Sequence, residues 1–224
     1  MPRLGWDEYC ARWTSLHGGF DPRRAPLLIR LWQRLAFVLA CGVARLGVAP
    51  VVVTLVGLGG ALAVPVVVLL KGWWVLVAAL LALASALADS VDSGVAVVSG
   101  RITGLGSFAD AVADRLSEIA WLVALWLVGG PAVLAVACGA VALLHEYART
   151  RAALAGMPGV PSLAIAERPT RIVVAVVALV LSAVAGVVSA RLAAGVATVA
   201  LAVWLVLGLL GGARLVSAIR TDLH

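Results

Sequence analysis

Asp89, Asp92, Asp110 and Asp114 stand in the stretch 89-DSVDSGVAVVSGRITGLGSFADAVADR-115 of a chain that is otherwise almost continuously apolar. A carboxylate at membrane depth costs about 2.5–3.5 kcal/mol on insertion scales. Arg101 and Arg115 are the only cations of the stretch, too few to neutralise the acids. The remaining counter-charge is a divalent metal. Asp89 and Asp92 are three residues apart, and Asp110 and Asp114 four, so each pair shares one helical face. Converging carboxylates make a hard-oxygen cage suited to Mg²⁺ or Mn²⁺, with room in four acids for two ions. Hard dications beside phosphates serve phosphoryl-type transfer. One of the acids can also take the proton of an attacking hydroxyl. The alternatives are a proton or ion pathway and a structural polar cluster.

The elements that must carry these acids are membrane helices. Of 224 residues 63% are hydrophobic and 12% charged. Soluble domains average about 45–50% apolar and about 25% charged. No strand-like alternation supports a β-barrel. The formal charge of +6 is read as topology and contact with lipid headgroups, not with nucleic acid. Cys10, Cys41 and Cys138 are far apart and imply neither a metal knot nor a disulfide framework. The first 25 residues carry Asp7, Glu8 and Asp21 and lack the apolar core of a cleavable signal.

The fold class expected is an all-α membrane protein, six transmembrane helices preceded by an amphipathic interfacial helix. Residues 1–25 are polar, broken by Gly18, Gly19 and Pro22. Residues 26–47 carry Arg30, Arg34 and Arg45 within about 60° of one another on a helix, the pattern of a helix lying on the membrane surface. The alternative there is a first span with snorkelling arginines. The spans then run over 50–70, 73–99, 107–128, 132–154, 170–189 and 193–213. A proline-rich loop is expected over 155–169. The domain reading is an amino-terminal segment 1–48, a membrane domain 49–216 and a tail 217–224. With the amino terminus in the cytoplasm, only Lys71 and Arg191 of 17 basic residues fall outside. That asymmetry predicts a multi-pass protein of the inner (plasma) membrane with both termini and the aspartates on the cytoplasmic side.

The pattern D-x2-D, then Gly106 followed by x3-D-x3-D, resembles the signature of the CDP-alcohol phosphatidyltransferase family, D-x2-D-G-x2-A-R-x8-G-x3-D-x3-D. Asp89, Asp92, Ala96, Gly106, Asp110 and Asp114 are in register. Two positions depart: Ser93 stands for the family's Gly, with Gly94 next to it, and Val97 for its Arg. Arg101 lies nearby as a substitute cation. Pro50-x3-Thr54 resembles the start of the family's first span, with Val51 in place of the usual Asn. 146-EYARTRAALAG-156 and 167-ERPTR-171 resemble segments of the phosphatidylinositol-phosphate and phosphatidylglycerol-phosphate synthases.

The resemblance implies transfer of a phosphatidyl group from a CDP-linked lipid to a hydroxyl acceptor, a phosphorylated polyol, with release of CMP. It implies metal ligation by the four aspartates, Asp114 as the base, and nucleotide contacts from Thr54, Ser93, Gly94, Ala96 and Gly106. It also implies an acceptor-phosphate pocket of Arg149 or Arg151, Arg168 or Arg171, and Arg214, and homodimeric assembly in the membrane. Positive-inside bias alone would also put these arginines there. Two other readings stay open: a member that binds lipid or nucleotide without transfer, and a proton-coupled transporter, which the cytoplasmic clustering of the acids disfavours. Glu118 reads as an ion-pair partner of Arg115 or another arginine, and His145 as an interfacial histidine. Glycines 57, 59, 60, 208, 211 and 212 read as close helix packing. Trp121, Trp126 and Trp204 read as lipid-facing or packing residues.

Overall fold

The computed structural model describes residues 4–16, 19–157 and 168–222, the side chains of Arg168 and Asp222 excepted. Its helices are α1 (Trp6–Leu16), α2 (Leu27–Arg45), α3 (Pro50–Val68), α4 (Trp74–Ser99), α5 (Gly104–Val128), α6 (Ala132–Leu154), α7 (Arg168–Val188) and α8 (Ala190–Asp222). A 3-10 turn over Pro22–Arg24 follows α1. Among the described residues there is no strand. The proline-rich loop expected over 155–169 lies mostly outside the described residues.

The expected all-α membrane architecture is present, with six helices among the described residues long and apolar enough to span a membrane. Their membership differs from the expected one. α2 qualifies, and α5 does not, although it is 25 residues long. The reason is charge spacing: the arginines of α2 are spread along it, whereas Asp110, Asp114, Arg115 and Glu118 crowd the middle of α5.

The chain forms two compact units, residues 1–59 with 84–114, and 60–83 with 115–224. In the first, α2 buries an alanine stripe, Ala36, Ala40 and Ala44, against Val91 and Val95 of α4. Gly94 lets these helices approach: a Cβ there would lie 2.9 Å from the Ala40 Cβ. Gly57 does the same for α3, where a Cβ would stand 3.0 Å from that of Ala88. Gly100 ends α4 in the left-handed region at φ 67°. The Arg101 amide then donates back to the Ala96 carbonyl at 3.1 Å, closing a Schellman turn that only glycine adopts without strain.

α1 is a helix where the polar segment 1–25 carries no helical expectation. Its Trp6, Tyr9, Cys10 and Trp13 recur at helical spacing. Tyr9 and Cys10 are fully buried, and with Trp13 they form a cluster around Val97 of α4. The Tyr9 ring centroid lies 4.8 Å from Phe37 of α2 and 5.6 Å from Trp13. Burial pushes the Cys10 thiol up to about 11 and raises Tyr9 as well, so both stay neutral at ordinary pH. Arg23 donates from its backbone and its guanidinium to Asp21, both at 3.0 Å, and these bonds hold Asp21 below the usual carboxylate range.

In the second unit α8 packs against α6 and α7. The Cys138 thiol donates to the Leu201 carbonyl at 3.2 Å. Gly208 is a close-packing position, its would-be Cβ 3.0 Å from Val141. Gly212 is not, nor is Gly59 of the first unit, since no described atom lies within 4 Å of a Cβ at either. Trp121 and Trp204 are packing residues, while Trp126 is exposed.

Candidate metal centre and active site

Asp89 and Asp92 project from α4 across a short connection to Asp110 of α5. One carboxylate oxygen from each of the three lies within 4.8 Å of those of the other two. Asp92 is the most enclosed, at 2% exposure, while Asp89 and Asp110 are half-buried. The Thr54 hydroxyl of α3 donates to Asp92 Oδ2 at 2.6 Å. That bond aims the carboxylate and leaves Oδ1 buried without a hydrogen-bond partner among the described residues. Like charges this close repel, and a buried oxygen without a partner is costly. A hard dication resolves both, so the donor set fits Mg²⁺ or Mn²⁺. Asp114 lies one turn beyond Asp110, half-buried and outside the set of three converging oxygens.

The other expected nucleotide positions divide. Ser93 and Ala96 are half-buried on α4, and Gly106 is half-buried in the first turn of α5. The Gly106 amide donates to Thr103 Oγ1 at 3.0 Å. Gly94 is buried beside Ala40 and the Tyr9 hydroxyl. Thr54, expected near nucleotide, serves Asp92 directly. Val97 is 4% exposed beneath α1. The residue that departs from the family's arginine is thus covered by an apolar helix face. Restoring an arginine there, Val97→Arg, would bury a cation among Tyr9, Cys10 and Trp13. The expected loss is at least about 3 kcal/mol of stability, from burying a charge among packed apolar and aromatic side chains. A thermal-unfolding series in detergent checks it; an unchanged midpoint would show that α1 does not pack there.

The expected acceptor arginines sit in the second unit. Arg149 and Arg151 are exposed near the end of α6, and Arg214 is exposed on α8. Arg168 opens α7, its side chain outside the described residues. Arg171 is buried, and its Nη1 donates to both carboxylate oxygens of Glu118, at 2.9 and 3.1 Å. Arg115 meets the same carboxylate at 3.2 Å and forms a longer ion pair with Glu146 at 3.8 Å. Glu118 is therefore the ion-pair partner expected for Arg115, with Arg171 as a second cation. That pairing, 53 residues apart, left no trace in local spacing. His145 lies in the field of Arg171, Arg149 and Arg115.

The sequence profile of CDP-alcohol phosphatidyltransferase matches residues 47–210. No curated protein matches the chain significantly. Two crystal structures of the Mycobacterium tuberculosis phosphatidylinositol phosphate synthase PgsA1 share its fold, each with a TM-score of 0.68. One, with CDP-DAG bound, is 22% identical over 84% of this chain and 95% of that chain. The other, in complex with manganese and citrate, is 21% identical over 84% of this chain and 90% of its own. With the profile spanning most of the sequence and three of the four signature acids gathered at the junction of α4 and α5, the chain belongs to the CDP-alcohol phosphatidyltransferase family, and so to the enzymes that transfer substituted phosphate groups.

Proposed function

We propose that the protein transfers a phosphatidyl group from a CDP-linked lipid such as CDP-diacylglycerol to the hydroxyl of a phosphorylated polyol, releasing CMP. The observation that carries this reading is the convergence of Asp89, Asp92 and Asp110, with one buried oxygen of Asp92 left without a hydrogen-bond partner among the described residues. Asp89, Asp92, Asp110 and Asp114 would hold two dications, which supply charge neutralisation at the diphosphate and at the departing CMP.

The protein's own groups do the rest. Thr54 fixes the rotamer of Asp92. Asp114 takes the proton of the acceptor hydroxyl, the acceptor oxygen bonds to the lipid-bearing phosphorus, and the phosphoanhydride bond to CMP breaks. Arg149, Arg151, Arg168, Arg171 and Arg214 supply the forked donors for the acceptor's phosphate. Of these, Arg171 has its guanidinium already oriented by Glu118. The small residues Ala96 and Gly106, with Ser93, would line the nucleotide side, whereas Gly94, expected there, is taken up by the contact with α2. The basic-residue asymmetry supports a cytoplasmic face of the inner membrane for this chemistry, with donor lipid arriving from the bilayer; assembly as a homodimer is carried over from the family resemblance alone. The solved manganese and CDP-DAG complexes of the structurally similar synthase support the choice of metal and donor.

The test is CMP release from CDP-diacylglycerol by the purified protein, run with Mn²⁺ or Mg²⁺ across inositol phosphate, glycerol phosphate and their unphosphorylated alcohols. Release with a phosphorylated acceptor, abolished by EDTA and restored by excess Mn²⁺, is the expected result. Release that persists after chelation would remove the metal centre from the reaction. A protein that binds CDP but releases no CMP with any acceptor would be a binding member only.

A further inference from the structure

Away from the aspartates, α1, the 3-10 turn and α2 enclose an open groove of about 370 Å³, lined by Trp6, Arg23, Leu27, Arg30, Leu31 and Arg34. Its two sides differ in chemistry. Trp6, Leu27 and Leu31 offer an apolar wall, and the three arginines offer cations. Arg23 is already engaged, at 3.0 Å to Asp21 and 3.6 Å to Asp7. Arg30 and Arg34 are exposed, one turn apart on the same face of α2, and neither forms an ion pair among the described residues. Two like charges at that spacing repel. Arg34 stands over the Trp6 ring, 5.8 Å from its centroid, in a geometry that orients the guanidinium.

A small free anion would satisfy the cations and leave the apolar wall wet. An anion carrying a hydrocarbon body would satisfy both. Along α2 the apolar residues next to the groove are outward-facing: Leu28 is 81% exposed and Leu35 47%. The same helix is long and apolar enough to lie in a bilayer. A lipid whose phosphate met Arg30 and Arg34 would therefore find its acyl chains beside these residues.

We propose that this groove is a binding site for the headgroup of an anionic phospholipid. Arg30 and Arg34 take the phosphodiester, and Trp6, Leu27 and Leu31 take the glycerol and upper acyl region. The site is independent of the transfer reaction, because its ligand needs no nucleotide and no metal.

Native mass spectrometry of the delipidated full-length protein, titrated with short-chain phosphatidylglycerol, tests this. Phosphatidylglycerol is expected to bind in preference to phosphatidylcholine. Arg30→Gln with Arg34→Gln should weaken it about tenfold or more through loss of two charge-assisted phosphate contacts. The matched pair Arg191→Gln with Arg220→Gln, exposed sites on α8, should not weaken it. Asp92→Asn protein should bind as the wild type does, which separates this site from the transferase reading. Equal binding of phosphatidylcholine, or an unaltered affinity in the Arg30/Arg34 variant, would overturn the proposal. Competition by glycerol phosphate at the same concentration would make the groove a free-phosphate site and overturn the lipid assignment. Should the double variant fail to fold, the unmodified protein decides: a photoactivatable phosphatidylglycerol must label the peptides spanning 6–34, and labelling confined elsewhere sinks the idea.

Discussion

Asp92→Asn is expected to cut CMP release by roughly 10²–10³-fold, the scale at which losing one electrostatic contact at a reacting phosphate is felt. The substitution is close to isosteric, and the Thr54 hydroxyl can still donate to the amide oxygen. The fold around α3 and α4 should therefore persist, and the loss should be chemical. Asp92 is the right residue to change because it is the most buried of the three converging acids and holds a buried oxygen with no hydrogen-bond partner among the described residues. Isothermal titration with Mn²⁺ should show weakened metal uptake in step with activity. Full activity in the variant would mean that the carboxylates gather for a reason other than holding metal. Thr54→Val should give a smaller fall, since it removes the bond that aims Asp92 but leaves the charge.

Glu118→Ala is expected to remove about 3–5 kcal/mol of stability, because it strands Arg171, and in part Arg115, without their counter-charge in the protein interior. The loss comes from breaking the pair, not from the worth of the intact one. Accordingly, Glu118→Leu combined with Arg171→Met should recover much of the stability that the alanine variant loses. Unfolding in detergent followed by circular dichroism supplies both numbers. If the double variant is as unstable as the single one, the two side chains are not coupled. Activity reads differently: the double variant should stay slow even when stable, because Arg171 is one of the proposed acceptor-phosphate donors.

The acid spacing was legible because it is local. A three-residue and a four-residue interval, each inside one helix, set the faces of the pairs, and the short link over Gly100 brought Asp89, Asp92 and Asp110 together but not Asp114. Spans over 50–70, 73–99 and 132–154 were legible from unbroken apolar runs ended by glycine and proline. α2 and α5 were harder. Each carries several charges, and whether a helix bends toward lipid or toward a polar site depends on neighbours that are distant in sequence. The resemblance of 167-ERPTR-171 points to Arg168 or Arg171 as an acceptor-phosphate residue. The contact of Arg171 with Glu118 depends on α5 meeting α7, which no periodicity encodes. α1 was missed although Trp6, Tyr9, Cys10 and Trp13 carry the helical stripe, because flanking charges and glycines made the segment read as polar chain. That stripe was the available signal.

The cover that α1 and α2 form over one face of α4 has a practical bearing. The family profile begins at residue 47, so a truncated protein drawn to that boundary would discard both helices. Val91, Val95 and Val97, on the helix that carries Asp89 and Asp92, would then be stripped of their packing partners. Such a shortened protein would keep every signature residue and lose the backing that holds two of them in line.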